Sequence, residues 1–265
     1  MESGKRTYGF IFMICHVMSI FVPVLAIHDK EVLNLYKNIY RGDGTYYWES
    51  EGGTCSLNVP SLPSVARHVD KLVALNAPQI YGSSACGICL MVNGSGNGLG
   101  LDPIQGSFIA YVKDKCPECH SGDVDFAETG DGRWDITIQA VQCPVTGPIE
   151  YTLEGSNDYY IKLQVRNDRM PTTTLKMLQS SRGSWATMVR TRDGHWQFPT
   201  DGTFVDKPIR RPFVLQLHAP NGEILYDVVN PPSMGFVGVI HGRGVQYALD
   251  PTLPAVQPRS VHAGK

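Results

Sequence analysis

The sequence predicts an all-β protein in two parts, and three features predict it. Glycine and proline are plentiful, at 27 and 18 residues, while long amphipathic helical patterns are scarce, which favours short strands joined by tight turns. Six of the seven cysteines lie between Cys55 and Cys143 and none follows, so the two halves differ in chemistry. Several short segments alternate apolar and polar residues, with turn signals between them. A chain of 265 residues has room for two domains of ordinary size.

At the N-terminus, Lys5 and Arg6 precede an almost wholly apolar run from Tyr8 to Val22, and Val24-Leu25-Ala26 follows with small residues. This reads as a secretory signal at residues 1–26, cleaved after Ala26. A membrane anchor is the alternative reading of the same run. No other segment is apolar enough to span a bilayer, so the expected mature protein is extracellular with no membrane contact.

Cleavage removes Cys15 and leaves Cys55, Cys86, Cys89, Cys116, Cys119 and Cys143. An even set in an exported chain implies disulfides. Cys86-x2-Cys89 and Cys116-x2-Cys119 also have the pairwise spacing of a zinc ribbon, but the oxidising compartment and the two further cysteines weigh against a metal. No cofactor is expected. Cys143 leads into Pro144-Val145-Thr146-Gly147-Pro148, a connector between a cysteine-bearing domain at 27–146 and a cysteine-free one at 147–254. From Pro251 the periodicity stops, and a flexible tail is expected at 255–265.

Within the first domain, Ser107–Val112 and Trp134–Val141 alternate as strands do. Val65, Val69, Leu72 and Val73 fit a helical face, while Leu72–Leu75 equally fits the start of a strand. In the second domain the strand candidates are Tyr159–Val165, Trp185–Val189, Phe213–His218 and Ile224–Val229. Arg182-Gly183, Asp193-Gly194 and Asn221-Gly222 mark turns between them. Such spacing suggests a β-sandwich. The formal net charge of −2 is mixed along the chain, so no basic stripe offers a phosphate footprint and nucleic acid is not an expected partner.

The motifs then resemble those of the expansins, in family order over residues 40–250. They are Gly42-Asp43-Gly44-Thr45-Tyr46-Tyr47, Gly52-Gly53-Thr54-Cys55-Ser56, Leu75-Asn76, Tyr81-Gly82 and Ala85-Cys86-Gly87-Ile88-Cys89. Val112–Pro117, Gly122–Phe126, Gly155–Tyr160, Leu163–Asn167 and Gly244-Val245-Gln246-Tyr247 continue the series. The resemblance implies a six-stranded double-psi β-barrel followed by an immunoglobulin-like β-sandwich. It also implies the cystines Cys55–Cys86 and Cys89–Cys143, leaving Cys116 and Cys119 for each other. The implied activity is non-hydrolytic loosening of cell-wall polysaccharide by a monomer, with cellulose as ligand and xyloglucan or xylan as further candidates.

By the same resemblance Asp125 is the key acid. Family-45 endoglucanases, which share the barrel, have their general acid there, and such a carboxyl needs a pKa raised by burial or a like charge. Asp114 matches a neighbouring aspartate, Thr45 a polar threonine on the first strand, and Tyr47 stands beside it. Read without the resemblance, both aspartates are ordinary loop carboxylates. Where bacterial members carry a tyrosine two positions after the first aspartate, this chain has Cys116. Inverting hydrolysis needs a second carboxylate to activate water. Expansins lack that base, yet Glu49 in Thr45-Tyr46-Tyr47-Trp48-Glu49 stands where the endoglucanases carry it; read by itself it is a solvated hairpin charge. Two rivals follow: a β-1,4-glucanase with Asp125 as acid and Glu49 as base, and a purely adhesive wall protein.

Tyr159 and Tyr160 map onto the paired surface aromatics of the second domain. On a regular strand adjacent residues face opposite ways, so the pair implies a twist or bulge. The third aromatic of that platform falls near Arg192–Asp193, where none stands; Trp196 is the candidate replacement, with burial the alternative, and Trp185 reads as core. Asn93-Gly94-Ser95 is a glycosylation sequon.

Overall fold

The structure is a computed structural model that describes residues 25–48, 53–58, 60–179, 183–199 and 207–257. Glu49, and the predicted signal up to residue 24, lie outside the described residues. Among the described residues no helix is long and apolar enough to cross a membrane.

The first element is a helix absent from the sequence reading, α1 (Leu25–Lys37). Val32, Leu35 and Tyr36, at the i, i+3, i+4 spacing of one helical face, are buried. Gln139 Nε2 donates to the carbonyl of Tyr36 at 2.9 Å, which fixes the end of α1 on the following domain. The predicted cleavage point after Ala26 falls in its first turn.

Six strands follow: β1 (Tyr40–Tyr46), β2 (Lys71–Asn76), β3 (Cys89–Leu99), β4 (Gln105–Cys116), β5 (Val124–Phe126) and β6 (Arg133–Val141). They close into a barrel in the order β1-β5-β2-β4-β3-β6. The β1–β5 and β2–β4 pairs are parallel and the others antiparallel. β6 alternates as its sequence does, burying Trp134, Ile136, Ile138 and Ala140. Leu72–Leu75 is resolved as strand, and the preceding Ser64–His68 forms a 3₁₀ turn. Gly42 is dictated by close approach: a Cβ there would stand 2.3 Å from the backbone of Gly122.

The second half forms a sandwich. The strands are β7 (Glu150–Leu153), β8 (Ile161–Arg166), β9 (Thr174–Gln179), β10 (Ser184–Thr187), β11 (Val189–Arg190), β12 (Trp196–Phe198), β13 (Phe213–His218), β14 (Ile224–Val229) and β15 (Ile240–His241). One sheet runs β10-β9-β13-β14 and the other β11-β12-β8-β7-β15. Tyr151, Ile161, Leu163, Leu175, Met177, Leu215 and Leu217 fill the space between them. The expected strand Trp185–Val189 is divided at buried Met188, and its halves join different sheets.

Three cystines close the first half: Cys55–Cys86, Cys89–Cys143 and Cys116–Cys119. At the other end the start of the expected tail is docked. Gln142 donates its backbone N–H to Pro254 O at 2.8 Å and its side-chain amide to Asp250 O at 2.8 Å, and Leu253 is buried. Ala255, placed in the tail by the loss of periodicity, bridges to Gln142. Backbone hydrogen bonding to the barrel, which has no sequence period, holds it there.

Candidate functional site

The site begins at β5. Asp125 pairs in register with Thr45 on one side and Ala74 on the other, and Ala74 pairs with Asp114 beyond. The two aspartates therefore lie two strand spacings apart, about 10 Å between Cα atoms. A bulge between Val73 and Ala74 skips Lys113 and sets the register that brings Asp114 into line.

The two carboxylates differ in surroundings. Thr45 Oγ1 donates to Asp125 Oδ1 at 2.7 Å. Burial raises the Asp125 pKa above its ordinary value; the Thr45 bond and Arg133 pull it down, while the charges of Glu118 and Asp114 push it up. Asp114 Oδ1 instead accepts the backbone N–H groups of Thr54 and Lys115. The Tyr47 phenol donates to Asp114 Oδ2 at 3.4 Å, and burial together with that carboxylate raises its pKa well above the ordinary phenol value. Asp125 is thus a carboxyl whose proton affinity burial raises, and Asp114 is a bracket for the loop at Thr54. Glu118, exposed within the small ring closed by Cys116–Cys119, was missed by sequence reasoning. Its place inside the Cys-x2-Cys pair was the available signal.

Next to Thr54 the barrel meets the sandwich through buried groups. Gln164 Nε2 donates to Cys55 O at 2.8 Å, and a Cβ at Gly194 would meet the same carbonyl at 3.1 Å. Next along β8, Lys162 Nζ binds Glu154 and Asp193, each at 2.7 Å. An ion pair therefore stands near Arg192–Asp193, where the resemblance implies a third aromatic. Glu154, Asp193 and His195 have ligand atoms within 4.8 Å of one another, a spacing a cation could use. The ammonium of Lys162 already bridges two of the three.

Tyr159 and Tyr160 precede β8 and lie in a tight turn, Asn157–Tyr160, rather than on a strand. The turn answers the alternation problem without a bulge. Tyr159 is 52% exposed and Tyr160 half-buried.

Of the two tryptophans, one takes the burial left open as its alternative and the other departs from its reading as core. Trp196 is only 2% exposed, in the sandwich core with the Arg190 guanidinium 5.1 Å from its ring centre, so it offers no ring to a ligand. Trp185, read as core, is 40% exposed and meets Tyr226 edge-on at 5.9 Å. That pair belongs to the four-stranded sheet. Asn93 is exposed on β3, where its Oδ1 accepts from Ser107 Oγ.

No protein-family model matches the chain, and no curated protein matches it. Solved structures do. The apo expansin of Clavibacter michiganensis aligns with a TM-score of 0.62 at 23% identity, over 80% of this chain and 100% of that one. An aspartate-to-asparagine mutant of a Clavibacter michiganensis expansin in complex with cellohexaose aligns with the same TM-score, identity and coverage. The closed six-stranded barrel, the two-sheet sandwich and this alignment agree. The chain has the expansin fold, a double-psi β-barrel joined to an immunoglobulin-like β-sandwich.

Proposed function

We propose that the protein is a secreted monomer with a barrel domain at 27–146 and a sandwich domain at 147–254. It binds a β-linked wall glucan across both and loosens glucan contacts without cutting the chain. Cellulose is the first candidate ligand; xyloglucan and xylan present a similar backbone. One observation carries the reading: on the barrel Asp125 is half-buried, bonded to Thr45 and raised in pKa by burial, while on the sandwich the Tyr159 turn presents an exposed ring. A neutral carboxyl donates a hydrogen bond to a sugar oxygen, and tyrosine rings cover the apolar faces of glucose. The bound segment is thereby drawn from its neighbours, with no bond broken and no cofactor used. The relative solved with cellohexaose supports a glucan as partner.

Asp114 is an unsuitable water-activating base, because its Oδ1 already accepts two backbone N–H groups. The paired test measures extension of a wall specimen and release of reducing ends on one preparation. The expected result is extension without sugar release, with extension lost in Asp125→Asn while binding persists. Sustained release of reducing ends from soluble glucan, abolished by Glu49→Gln, would replace this reading with the glucanase. Binding without extension would leave the adhesive one. Mass analysis of the secreted protein tests cleavage after Ala26 and glycosylation at Asn93.

A further inference from the structure

We propose that the Cys116–Cys119 disulfide is an exchange site for small thiols, opened at Cys119 and closed again without loss of the fold.

In an exported chain a disulfide is ordinarily a fixed brace. Three observations set this one apart. The first is access. Cys119 is partly exposed, whereas Cys55, Cys86, Cys89, Cys116 and Cys143 are all buried. A thiolate in solution therefore reaches one sulfur of the three cystines. The second is support from elsewhere. Cys116 ends β4 in register with Asn76 of β2, and the buried Asn76 amide donates to Asp123 O at 3.0 Å and to Gln79 Oε1 at 2.7 Å. Gly122 N–H donates to the same Gln79 oxygen at 2.9 Å, and His120 N–H to Asp123 Oδ2 at 2.8 Å. Hydrogen bonds thus hold both ends of the loop, and the disulfide adds a constraint on Pro117, Glu118 and Cys119. The third is ring size. The separation is 3 residues, against 31 and 54 in the other two cystines. Opening so small a ring releases little chain entropy, and closing it again costs as little. The C-x2-C spacing is also that of dithiol exchange centres.

The chemistry is a pair of displacements. A thiolate attacks Cys119 Sγ, forms a mixed disulfide and expels Cys116 Sγ as a thiolate, which takes a proton from water. A second thiolate attacks the small-molecule sulfur of the mixed disulfide, so Cys119 leaves as a thiol and the two small thiols depart joined. Two electrons pass from the thiols to the protein disulfide. A small disulfide acting as oxidant reverses both steps and restores the ring.

The ring stands beside the barrel site. Glu118 lies within it, and its negative charge raises the proton affinity of Asp125. With the ring open, Glu118 is no longer held in place, and its average push on Asp125 weakens. Exchange at Cys119 is thereby felt at Asp125.

The test treats the folded, oxidised protein with dithiothreitol, quenches samples by alkylation and maps the labelled cysteines by mass spectrometry. Cys116 and Cys119 are expected to label about tenfold faster than the other four, with the far-ultraviolet circular dichroism unchanged. Cysteamine followed by an acid quench should place the adduct on Cys119. In an NMR titration, reduction should lower the Asp125 midpoint, and Glu118→Gln should remove that response. Labelling of all six cysteines together, labelling only after the dichroism is lost, or an adduct mainly on Cys116 would overturn the proposal. An Asp125 midpoint indifferent to reduction would overturn the link to the barrel site. None of these measurements uses a glycan, so they decide the exchange site whichever way the wall assays fall.

Discussion

Asp125 is the carboxyl of the barrel site whose proton affinity its neighbours shift in both directions. Burial raises the Asp125 pKa, and the hydrogen bond from Thr45 opposes the rise. Thr45→Val removes the opposition, so the Asp125 midpoint in an NMR titration should move upward. The buried Asp168 gives a stability signature of its own. Burial raises its pKa to about 6, against the partial relief of the Thr172 N–H and Arg190. A carboxyl raised in the folded state contributes stability that is complete below its unfolded pKa of about 4 and is lost as pH rises through its folded value. The contribution is on the order of 3 kcal/mol. Asp168→Asn should therefore flatten the pH dependence of urea unfolding between pH 4 and 6.

The tryptophans show what residue identity alone conceals. Both stand in short strand-like runs, and alternation does not say which face is the core. Trp196 lies between paired strands in the five-stranded sheet, whereas Trp185 is on β10 at the edge of the other sheet. Trp196→Ala should cost about 3–5 kcal/mol of stability in a denaturant melt, and Trp185→Ala much less. Asp227 sets which way β14 faces. It is buried, accepting from Tyr151 Oη at 2.8 Å, so its neighbour Tyr226 faces outward, 58% exposed.

At the level of elements, the strands were legible where one face is apolar and the other polar. β6, β13 and β14 were bounded by their alternation and turns to within a residue or so. Helix α1 was not, because its first residues read as a cleavage region and its buried triplet was short. Tyr159 and Tyr160 were placed on a strand because the apolar run into Ile161 continues through them. The turn that holds them is made by hydrogen bonds of Asn157, which accepts from Tyr159 N–H at 2.8 Å. The register that aligns Asp125 with Asp114 could not be read locally, since it depends on three strands distant in sequence. The resemblance supplied that pairing instead.

The cystines rank by the chain they enclose. Cys116–Cys119 has a separation of 3 residues and Cys89–Cys143 one of 54. Loop-closure entropy then gives about 2 kcal/mol for the first and about 4 kcal/mol for the second. The double serine variants should follow that order in thermal unfolding. The small ring matters for where it holds Glu118 more than for global stability.

For the whole molecule, the barrel and the sandwich share buried polar contacts. Gln164 reaches Cys55, Arg166 donates to Ser61 O, and Arg190 donates to Ser83 O at 2.8 Å. Losing one member of a buried ion pair typically costs about 3–5 kcal/mol. Arg166→Ala leaves Glu150 unpaired inside the sandwich and removes the bond to Ser61 of the barrel, so it should divide one calorimetric unfolding transition into two. The composition shift at Cys143 located the junction, but it held no trace of these contacts. They join residues about a hundred positions apart, and only the fold brings them together.

The docking of Asp250–Ala255 on Gln142 has a topological result. The chain leaves the barrel through residues 144–149, builds the sandwich, and comes back to the point of departure. A nick in that linker would yield two polypeptides that still migrate as one particle and part only under denaturation.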